Sequence, residues 1–351
     1  MKKIFLILLI GIIALSSVFA GGSQEESEAA DSSKTYHLRM STLASEGLPL
    51  YDSCVWYIER VAELTDGAVE IELYPSSQLG DYSTIMGELI LGTVDLSWES
   101  ANSEYDSRLT ILGSPYLVSN WDEVKYAYAE GSWLTDYIGD VSNELGITQM
   151  GVSPGGFYGI AGNDLGNLDT LFDLDIKQDA LCRVPPNTLA IKTVEALTYN
   201  TTQINYSDLY SALQTGVADC WYGGSVDLNY EHFRDVIKNY AAFDYANEYY
   251  PLFISNVSLK KLPENYQKAM LQAGWEASAV AYDKCVEAYE GYFTKLEDFG
   301  IKIHKPTDKE MAAIVEKVRE EVWPDISKLI PQEDLDDLYA FTKKMKADLN
   351  P

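Results

Sequence analysis

One arginine has both the chemistry and the setting of a binding group. The chain contains only six arginines, and Arg183 lies in the apolar segment 181–187 (LCRVPPN), directly before two prolines. A guanidinium is planar, permanently charged and matched to a carboxylate through two parallel hydrogen bonds. The prolines fix the adjacent backbone, which reduces the entropy lost on binding. Arg183 is therefore a candidate carboxylate clamp, and the alternative is a structural ion pair with one of the many Asp or Glu residues.

Two similar segments each place an indole at the end of a predicted strand. Residues 91–98 (LGTVDLSW) and 215–222 (TGVADCWY) share a helix end, a glycine turn, an aspartate and an aromatic strand exit. In open α/β sheets, ligands bind beyond the carboxyl ends of the strands. Trp98 and Trp221 are therefore predicted to face one cleft, with the alternative that both are only core residues.

Other chemistry has little support in the residue types and spacings. The four cysteines and three histidines lack the spacing of a zinc site. The sequence has no HExxH motif, and Glu99 with Asp95 is the basis for a hydrolytic carboxylate pair. A chain this acidic produces such pairs by chance. We expect no metal, no cofactor and no enzymatic activity.

Charge and the N-terminus indicate where the protein works. The net charge of −28 disfavours nucleic acid and anionic membranes as partners. Residues 1–20 combine a basic start, a short apolar run and a small-residue end, which is typical of a cleaved signal peptide. Residues 21–35 are polar and predicted to be a disordered tether. No later segment is apolar enough for a membrane span, so we expect a periplasmic protein with no direct membrane anchor.

Alternation of short apolar strands with helical patterns predicts an α/β fold. The length favours two lobes with a hinge, each lobe containing a sheet, because single cores stop growing near ~250–300 residues. A continuous helical pattern of about 50 Å would bridge both lobes. Breaks are predicted at Pro324 and Pro331. The predicted units are lobe one (36–157 plus 247–263), lobe two (158–246 plus 300–351) and the bridging helix (264–299).

Six segments in order resemble the DctP-type substrate-binding proteins of TRAP (tripartite ATP-independent periplasmic) transporters. They are 74–81 (YPSSQLGD), 91–100 (LGTVDLSWES), 182–185 (CRVP), 208–219 (DLYSALQTGVAD), 250–256 (YPLFISN) and 261–270 (KLPENYQKAM). The resemblance implies a hinged receptor whose ligand is a small organic acid and whose partners are TRAP membrane subunits. It also implies that Arg183 forms a two-pronged salt bridge to the ligand carboxylate.

The chain departs from that family at several cleft positions. Tyr158 replaces a second arginine of some members, Gly223 replaces an asparagine, Asn102 replaces an arginine of sialic-acid binders, and Leu43 replaces a polar residue. One anion clamp therefore remains and much polar lining is lost. Aromatic side chains are expected to fill the cleft instead. They are Trp98, Tyr158, Tyr206, Trp221 and Tyr222.

This lining predicts a monocarboxylate with an apolar or aromatic body, and it disfavours sialic acid and small dicarboxylates. Glu99 either meets a ligand hydroxyl or amine or supports another residue, and Asn187 offers a second hydrogen bond to the carboxylate. The resemblance places Cys182 and Cys220 on neighbouring strands. There they either form a disulfide or remain two buried thiols.

The sequence thus predicts an extracytoplasmic receptor that captures a carboxylate-bearing solute between two lobes and delivers it to a TRAP-type secondary transporter. Two alternatives belong to other classes of protein. One is a periplasmic sensor or accessory module for an apolar ligand, in which Arg183 serves structure. The other is a periplasmic hydrolase.

Overall fold

The computed structural model describes residues 34–349, which form two sheets surrounded by helices. The strands are β1 (Tyr36–Ser41), β2 (Val69–Tyr74), β3 (Leu96–Trp98), β4 (Ile147–Phe157), β5 (Ile160–Gly162), β6 (Leu181–Val184), β7 (Asn200–Gln203), β8 (Cys220–Tyr222), β9 (Asn239–Ala241), β10 (Asn247–Ser255) and β11 (Lys302–His304). The helices are α1 (Pro49–Leu64), α2 (Tyr82–Leu91), α3 (Trp121–Ala127), α4 (Trp133–Glu144), α5 (Thr188–Ala196), α6 (Tyr206–Thr215), α7 (Val226–Leu228), α8 (Asn256–Leu259), α9 (Glu264–Phe299), α10 (Asp308–Ile326) and α11 (Gln332–Leu349). The predicted signal peptide (1–20) and most of the predicted tether (21–35) lie outside the described residues.

The two sheets have related architectures. The first has the order β2-β1-β3-β10-β4, and the second has the order β11-β9-β5-β8-β6-β7. Strands β1, β2 and β3 are parallel, as are β6, β7 and β8. In each sheet one strand, β10 or β5, pairs antiparallel with both of its neighbours. The predicted two-lobe α/β fold with one sheet in each lobe is therefore confirmed, with sheets that are mixed instead of mainly parallel.

The chain passes directly between the sheets at two adjacent places, from β4 to β5 and from β9 to β10, and a third time through α9, from β10 to β11. The backbone N–H of Tyr158 donates to the carbonyl of Ala246 at 2.8 Å, and that of Tyr245 donates to the carbonyl of Tyr158 at 3.3 Å. These two bonds hold the crossovers side by side. Backbone rotation within these two short crossovers would move each lobe as a rigid body, as a hinge requires.

The two repeated segments have the same structural role in both lobes. Gly92 and Gly216 end α2 and α6 with a φ of 74°, the left-handed conformation that favours glycine. Asp95 accepts a hydrogen bond from a backbone N–H of β1 at 2.8 Å, and Asp219 accepts one from the first residue of β6 at 2.8 Å. Each segment therefore turns the chain and ties its strand to the parallel neighbour.

The predicted long helix is α9, which lies closely on β4. A Cβ atom built on Gly274 would collide with the backbone carbonyl of Met150, and one built on Gly151 would collide with the carbonyl of Gly274. The hydroxyl of Ser278 accepts a hydrogen bond from the backbone N–H of Val152 at 2.8 Å. The missing side chains thus permit a backbone-to-backbone approach between the helix and a strand that leads into the hinge.

The C-terminal helices differ from the prediction in two respects. Helix α10 continues through Pro324 and ends two residues later, so the predicted break there is wrong, while α11 does begin after Pro331. A proline this close to a helix end disturbs only the last turn. Helix α11 packs on α3, and Tyr126 donates to Asp348 at 2.7 Å. The prediction assigns residues 300–351 wholly to lobe two, whereas α11 contacts a helix in the range assigned to lobe one.

In residues 34–349 we find no helix that combines the length and the apolar character needed to cross a membrane.

Replacing Gly274 by alanine is expected to destabilise the protein, because the added methyl group must push α9 away from β4. We expect a loss of about 1–3 kcal/mol in the free energy of unfolding, measured by chemical denaturation. Gly291→Ala on the same helix is the matched control, since nothing lies within 4 Å of the position that an added Cβ would take there. That control should be neutral or up to about 1 kcal/mol more stable. Equal effects of the two substitutions would contradict this packing.

Candidate functional site

Arg183 lies on β6, where its partner on β8 is Trp221. The residue is only 3% exposed, and its Nε donates to the carbonyl of Ile204 at 2.8 Å. Burial lowers the pKa of Arg183, although a guanidinium stays charged. Among residues 34–349, no Asp or Glu forms an ion pair with it. The structure therefore holds a desolvated positive charge without a protein counter-ion.

Tyrosines from both lobes surround this guanidinium. Tyr82 begins α2 of the first lobe, and Tyr206 begins α6 of the second. Burial raises the pKa of each phenol, and the nearby charge of Arg183 opposes both shifts. Both tyrosines remain partly accessible to water. The charge of Arg183 therefore acts on one tyrosine from each lobe.

The hinge contributes a column of aromatic rings. Tyr222 stacks on Tyr245 with ring centroids 4.1 Å apart, and Tyr245 meets the edge of Tyr158 at 6.0 Å. The Tyr158 hydroxyl donates to a carboxylate oxygen of Glu248. Gly223 follows Tyr222 with a φ of 126°, beside the ring of the preceding tryptophan. The predicted residues Tyr158, Tyr222 and Gly223 are therefore brought together where the lobes join.

Both predicted indoles belong to the core. Trp98 has no exposed surface, and its N–H donates to the carbonyl of Tyr250 at 2.9 Å. Trp221 is 2% exposed, donates to Asn229 at 3.1 Å and packs on Phe233. Arg183 is similarly buried, and Trp221 is its register partner on β8, so these two side chains leave the same face of the second sheet.

Both predicted asparagine side chains form hydrogen bonds with backbone groups of other residues. The Asn102 amide donates to the carbonyl of Ser83 at 3.2 Å, and its oxygen accepts from the N–H of Glu104 at 3.0 Å. The Asn187 oxygen accepts from the N–H of Ala190 at 3.1 Å and caps α5. Asn102 therefore shapes a loop. Asn187 lies two residues beyond the segment 182–185 that contains Arg183, and only its amide N–H groups remain for a ligand.

Glu99 is a buried acid without a partner. It is 2% exposed, and neither carboxylate oxygen has a hydrogen bond within the described part of the chain. Burial raises the pKa of Glu99 to about 8, while the nearby Ser41 hydroxyl opposes the shift without reaching hydrogen-bond geometry. Asp95 is bonded to β1 and to Ser258. The two acids do not form the carboxylate pair that a hydrolase would need.

The lobes touch along the cleft. The Ser45 hydroxyl and the His232 ring lie 3.3 Å apart, and the Tyr292 hydroxyl donates to the carbonyl of Gly47 at 3.1 Å. A small pocket lies between the loop before α1 and the start of α7. Its lining is mainly apolar, from Leu43, Ala44, Leu48, Pro49, Leu50, Pro154, Gly155, Ser225, Asp227, Leu228, Tyr250 and Cys285.

The cysteines are free thiols, and no three metal-ligating side chains cluster anywhere in residues 34–349. Cys182 and Cys220 face each other in register on β6 and β8, as the resemblance implied. In this structure they are two buried thiols and not a disulfide.

The sequence-based prediction missed Tyr82 and Tyr245, which neighbour Arg183, and the acid Glu248, which binds Tyr158. Tyr82 directly follows the Asp81 cap that ends the segment 74–81. Tyr245 lies in the second crossover and Glu248 lies at the start of β10, within a stretch rich in tyrosine (NYAAFDYANEYY). The density of aromatic residues in this stretch was the sequence feature that could have indicated these residues.

Glu99→Gln is expected to change how stability depends on pH. The folded-state pKa of Glu99 is about 8 against an ordinary value of 4.5, so the folded protein holds the proton more tightly than the unfolded chain. Wild-type stability relative to the variant should therefore fall as the pH rises from about 5 to 8, by a few kcal/mol, and level off above. Urea denaturation across this range checks it.

Glu320→Gln removes the same charge from an exposed helix position and is the control. Its pH profile should run parallel to that of the wild type. A parallel profile for Glu99→Gln as well would contradict the assigned pKa.

Comparisons with known proteins agree with this architecture. The family model for bacterial extracellular solute-binding protein, family 7, matches residues 40–328. A solute-binding protein of Roseobacter denitrificans is 25% identical over 254 residues, which cover 70% of this chain and 74% of the relative. A TRAP periplasmic solute binding protein from Desulfovibrio salexigens, with bound orotic acid, has 19% identity and a TM-score of 0.80, covering 90% of this chain and 99% of that chain. The sugar acid binding protein of Advenella mimigardefordensis, in complex with galactonate, has 18% identity and a TM-score of 0.79, covering 89% and 99%. The chain belongs to the DctP family, family 7 of the bacterial extracellular solute-binding proteins.

Proposed function

We propose that this protein is a periplasmic receptor that captures an organic acid with one carboxylate in its interlobe cleft and delivers it to a TRAP-type secondary transporter. The observation that carries the proposal is the buried guanidinium of Arg183, which has no acidic partner among the described residues. Membership of a solute-binding family supports binding as the protein's role.

The energetics of Arg183 favour a ligand anion. A buried charge without a counter-ion costs several kcal/mol, so a protein that keeps one benefits when an opposite charge arrives. The bond from Nε to the Ile204 carbonyl fixes the plane of the group and leaves both terminal nitrogens for a ligand. A carboxylate matches that fork with two charge-assisted hydrogen bonds. The nearby hydroxyls of Tyr82 and Tyr206 add hydrogen-bond donors from either lobe.

The rest of the cleft supports a ligand with an apolar or aromatic body. The tyrosines of the hinge offer ring faces, and the enclosed pocket offers the side chains of Leu43, Leu48 and Leu228. Orotic acid and galactonate, bound by two structural neighbours, each carry a single carboxylate. No second buried arginine or lysine joins Arg183 within residues 34–349, which disfavours small dicarboxylates.

The hinge supports delivery of the ligand to a membrane transporter. Closure brings surfaces of both lobes into one face, which a membrane subunit can distinguish from the open form. The contacts of Ser45 with His232 and of Tyr292 with Gly47 would form only in the closed state. The predicted signal peptide supports export to the periplasm, where such a receptor meets its transporter.

Thermal-shift screening of carboxylic acids on the wild type and on Arg183→Ala tests the proposal. The best acid should lose at least ~100-fold in affinity, because truncation removes a desolvated charge pair. Arg183→Lys keeps the charge but loses the fork, and it should fall in between. Without ligand, stability should change by no more than about 1 kcal/mol, since the lost bond to Ile204 is offset by removal of an unpaired charge.

Arg60→Ala is the control, because Arg60 forms its ion pair with Glu276 on the surface. It should leave acid binding unchanged. Full affinity in Arg183→Ala, or a large loss of stability without ligand, would show that this arginine serves the fold instead of a guest.

A further inference from the structure

A turn of the first lobe makes two polar contacts with the second lobe. The turn, residues 45–48, lies between β1 and α1 and is closed by a bond from the N–H of Leu48 to the carbonyl of Ser45 at 3.2 Å. The Ser45 hydroxyl lies 3.3 Å from Nε2 of His232, which follows β8 in the second lobe. The carbonyl of Gly47 accepts a hydrogen bond from the hydroxyl of Tyr292 at 3.1 Å.

Tyr292 is fixed on the second lobe, although the helix α9 that carries it spans both lobes. Its ring meets the edge of the Tyr230 ring, with centroids 5.8 Å apart. Its hydroxyl also lies 3.1 Å from a carboxylate oxygen of Glu231. The next residue, Phe293, packs on Tyr240 of β9 in the second sheet. These contacts hold the phenol in place, so its hydroxyl is already oriented when the turn of the first lobe approaches.

The same turn forms one side of the small interlobe pocket. The first lobe lines this pocket with residues of the segment 43–50, and the second lobe lines it with Ser225, Asp227 and Leu228. Leu48 belongs both to the turn and to the lining. Because the pocket has walls from both lobes, their separation would break the two polar contacts and open the pocket in one movement.

We propose that these two contacts form an interlobe latch, which sets the open-to-closed equilibrium of the receptor and the rate at which a bound acid is released. The latch comprises Ser45, Gly47, His232 and Tyr292. This inference rests on the proposed capture of an acid between the lobes and adds positioning residues that need not touch the acid. A hydrogen bond made only in the closed form shifts the equilibrium by roughly 3- to 10-fold. A weaker latch therefore raises the dissociation rate of the acid, whereas association with the open form is unchanged.

Spin labels on the two lobes measure this equilibrium directly. Cysteines introduced at Glu59 in α1 and at Gln214 in α6 place one label on an exposed position of each lobe, and the native cysteines are buried. Distance distributions are recorded for the mature protein alone and with orotate or galactonate added. The closed form is the population whose label separation matches this structure.

Tyr292→Phe removes the hydroxyl and keeps the ring, which lies 3.7 Å from the ammonium group of Lys295. Closure of this variant would bury the Gly47 carbonyl without its donor. The ratio of closed to open protein should therefore fall about 3- to 10-fold. For an acid that the wild type binds, the dissociation rate measured by stopped flow should rise by the same factor.

Tyr282→Phe is the matched control, because its hydroxyl donates to the carbonyl of Trp121 at 2.9 Å. This bond also starts from α9 but ends on α3 of the first lobe. Both substitutions should lower the unfolding midpoint to a similar extent, and only Tyr292→Phe should change the lobe populations. Ser45→Ala removes the other contact of the turn and should shift the populations in the same direction, which keeps the test available if Tyr292→Phe fails to fold.

The latch is overturned if the lobe populations are unchanged in both Tyr292→Phe and Ser45→Ala, or if Tyr282→Phe shifts them equally. A wild type without any population at the label separation of this structure, even with the acids present, would also overturn it. These distances are read without acid, so they are independent of the clamp. If the latch fails but Arg183→Ala loses acid binding, the proposed function still holds. Acid binding that is indifferent to Arg183 would contradict the proposed function and leave the latch in place.

Discussion

The structure depends on one uncompensated charge. Arg183 is almost wholly buried, yet in residues 34–349 it has a backbone carbonyl for one nitrogen and no acidic side chain for its charge. A fold gains nothing in stability from such a group, since apolar residues of similar volume would pack at less cost. In the proposed function, a ligand anion supplies the missing counter-ion, and the binding energy would come from pairing this buried charge.

The fold places that charge where closure can use it. Arg183 lies near the carboxyl end of β6, between β8 and β7, and the two crossovers at Tyr158 and Tyr245 connect this sheet to the other. Tyr82 and Tyr206 approach from opposite lobes, so a guest bound between them contacts both bodies at once. Binding energy gained on both sides of a hinge is what biases such a molecule toward its closed form.

Much of this was predictable from the sequence and some was not. The strands and helices follow apolar periodicity, and Arg183 stands out because an arginine between apolar residues and prolines has no solubility role. Trp98 and Trp221 are predicted as cleft residues from their strand ends, and the structure shows both indoles buried, because a strand end fixes the position of a residue but not the exposure of its ring. Glu248 was missed because the sequence of a strongly acidic chain does not show which carboxylate accepts hydrogen bonds from hydroxyl groups in the fold.

The most direct test of the central claim is a crystal structure of the protein carrying the solute retained from the periplasm of the producing cells. The account predicts a carboxylate in the cleft with two of its oxygens bonded to the terminal nitrogens of Arg183, within about 3 Å. A solute bound elsewhere, or this guanidinium paired with an Asp or Glu of its own chain while the solute occupies the cleft, would contradict it.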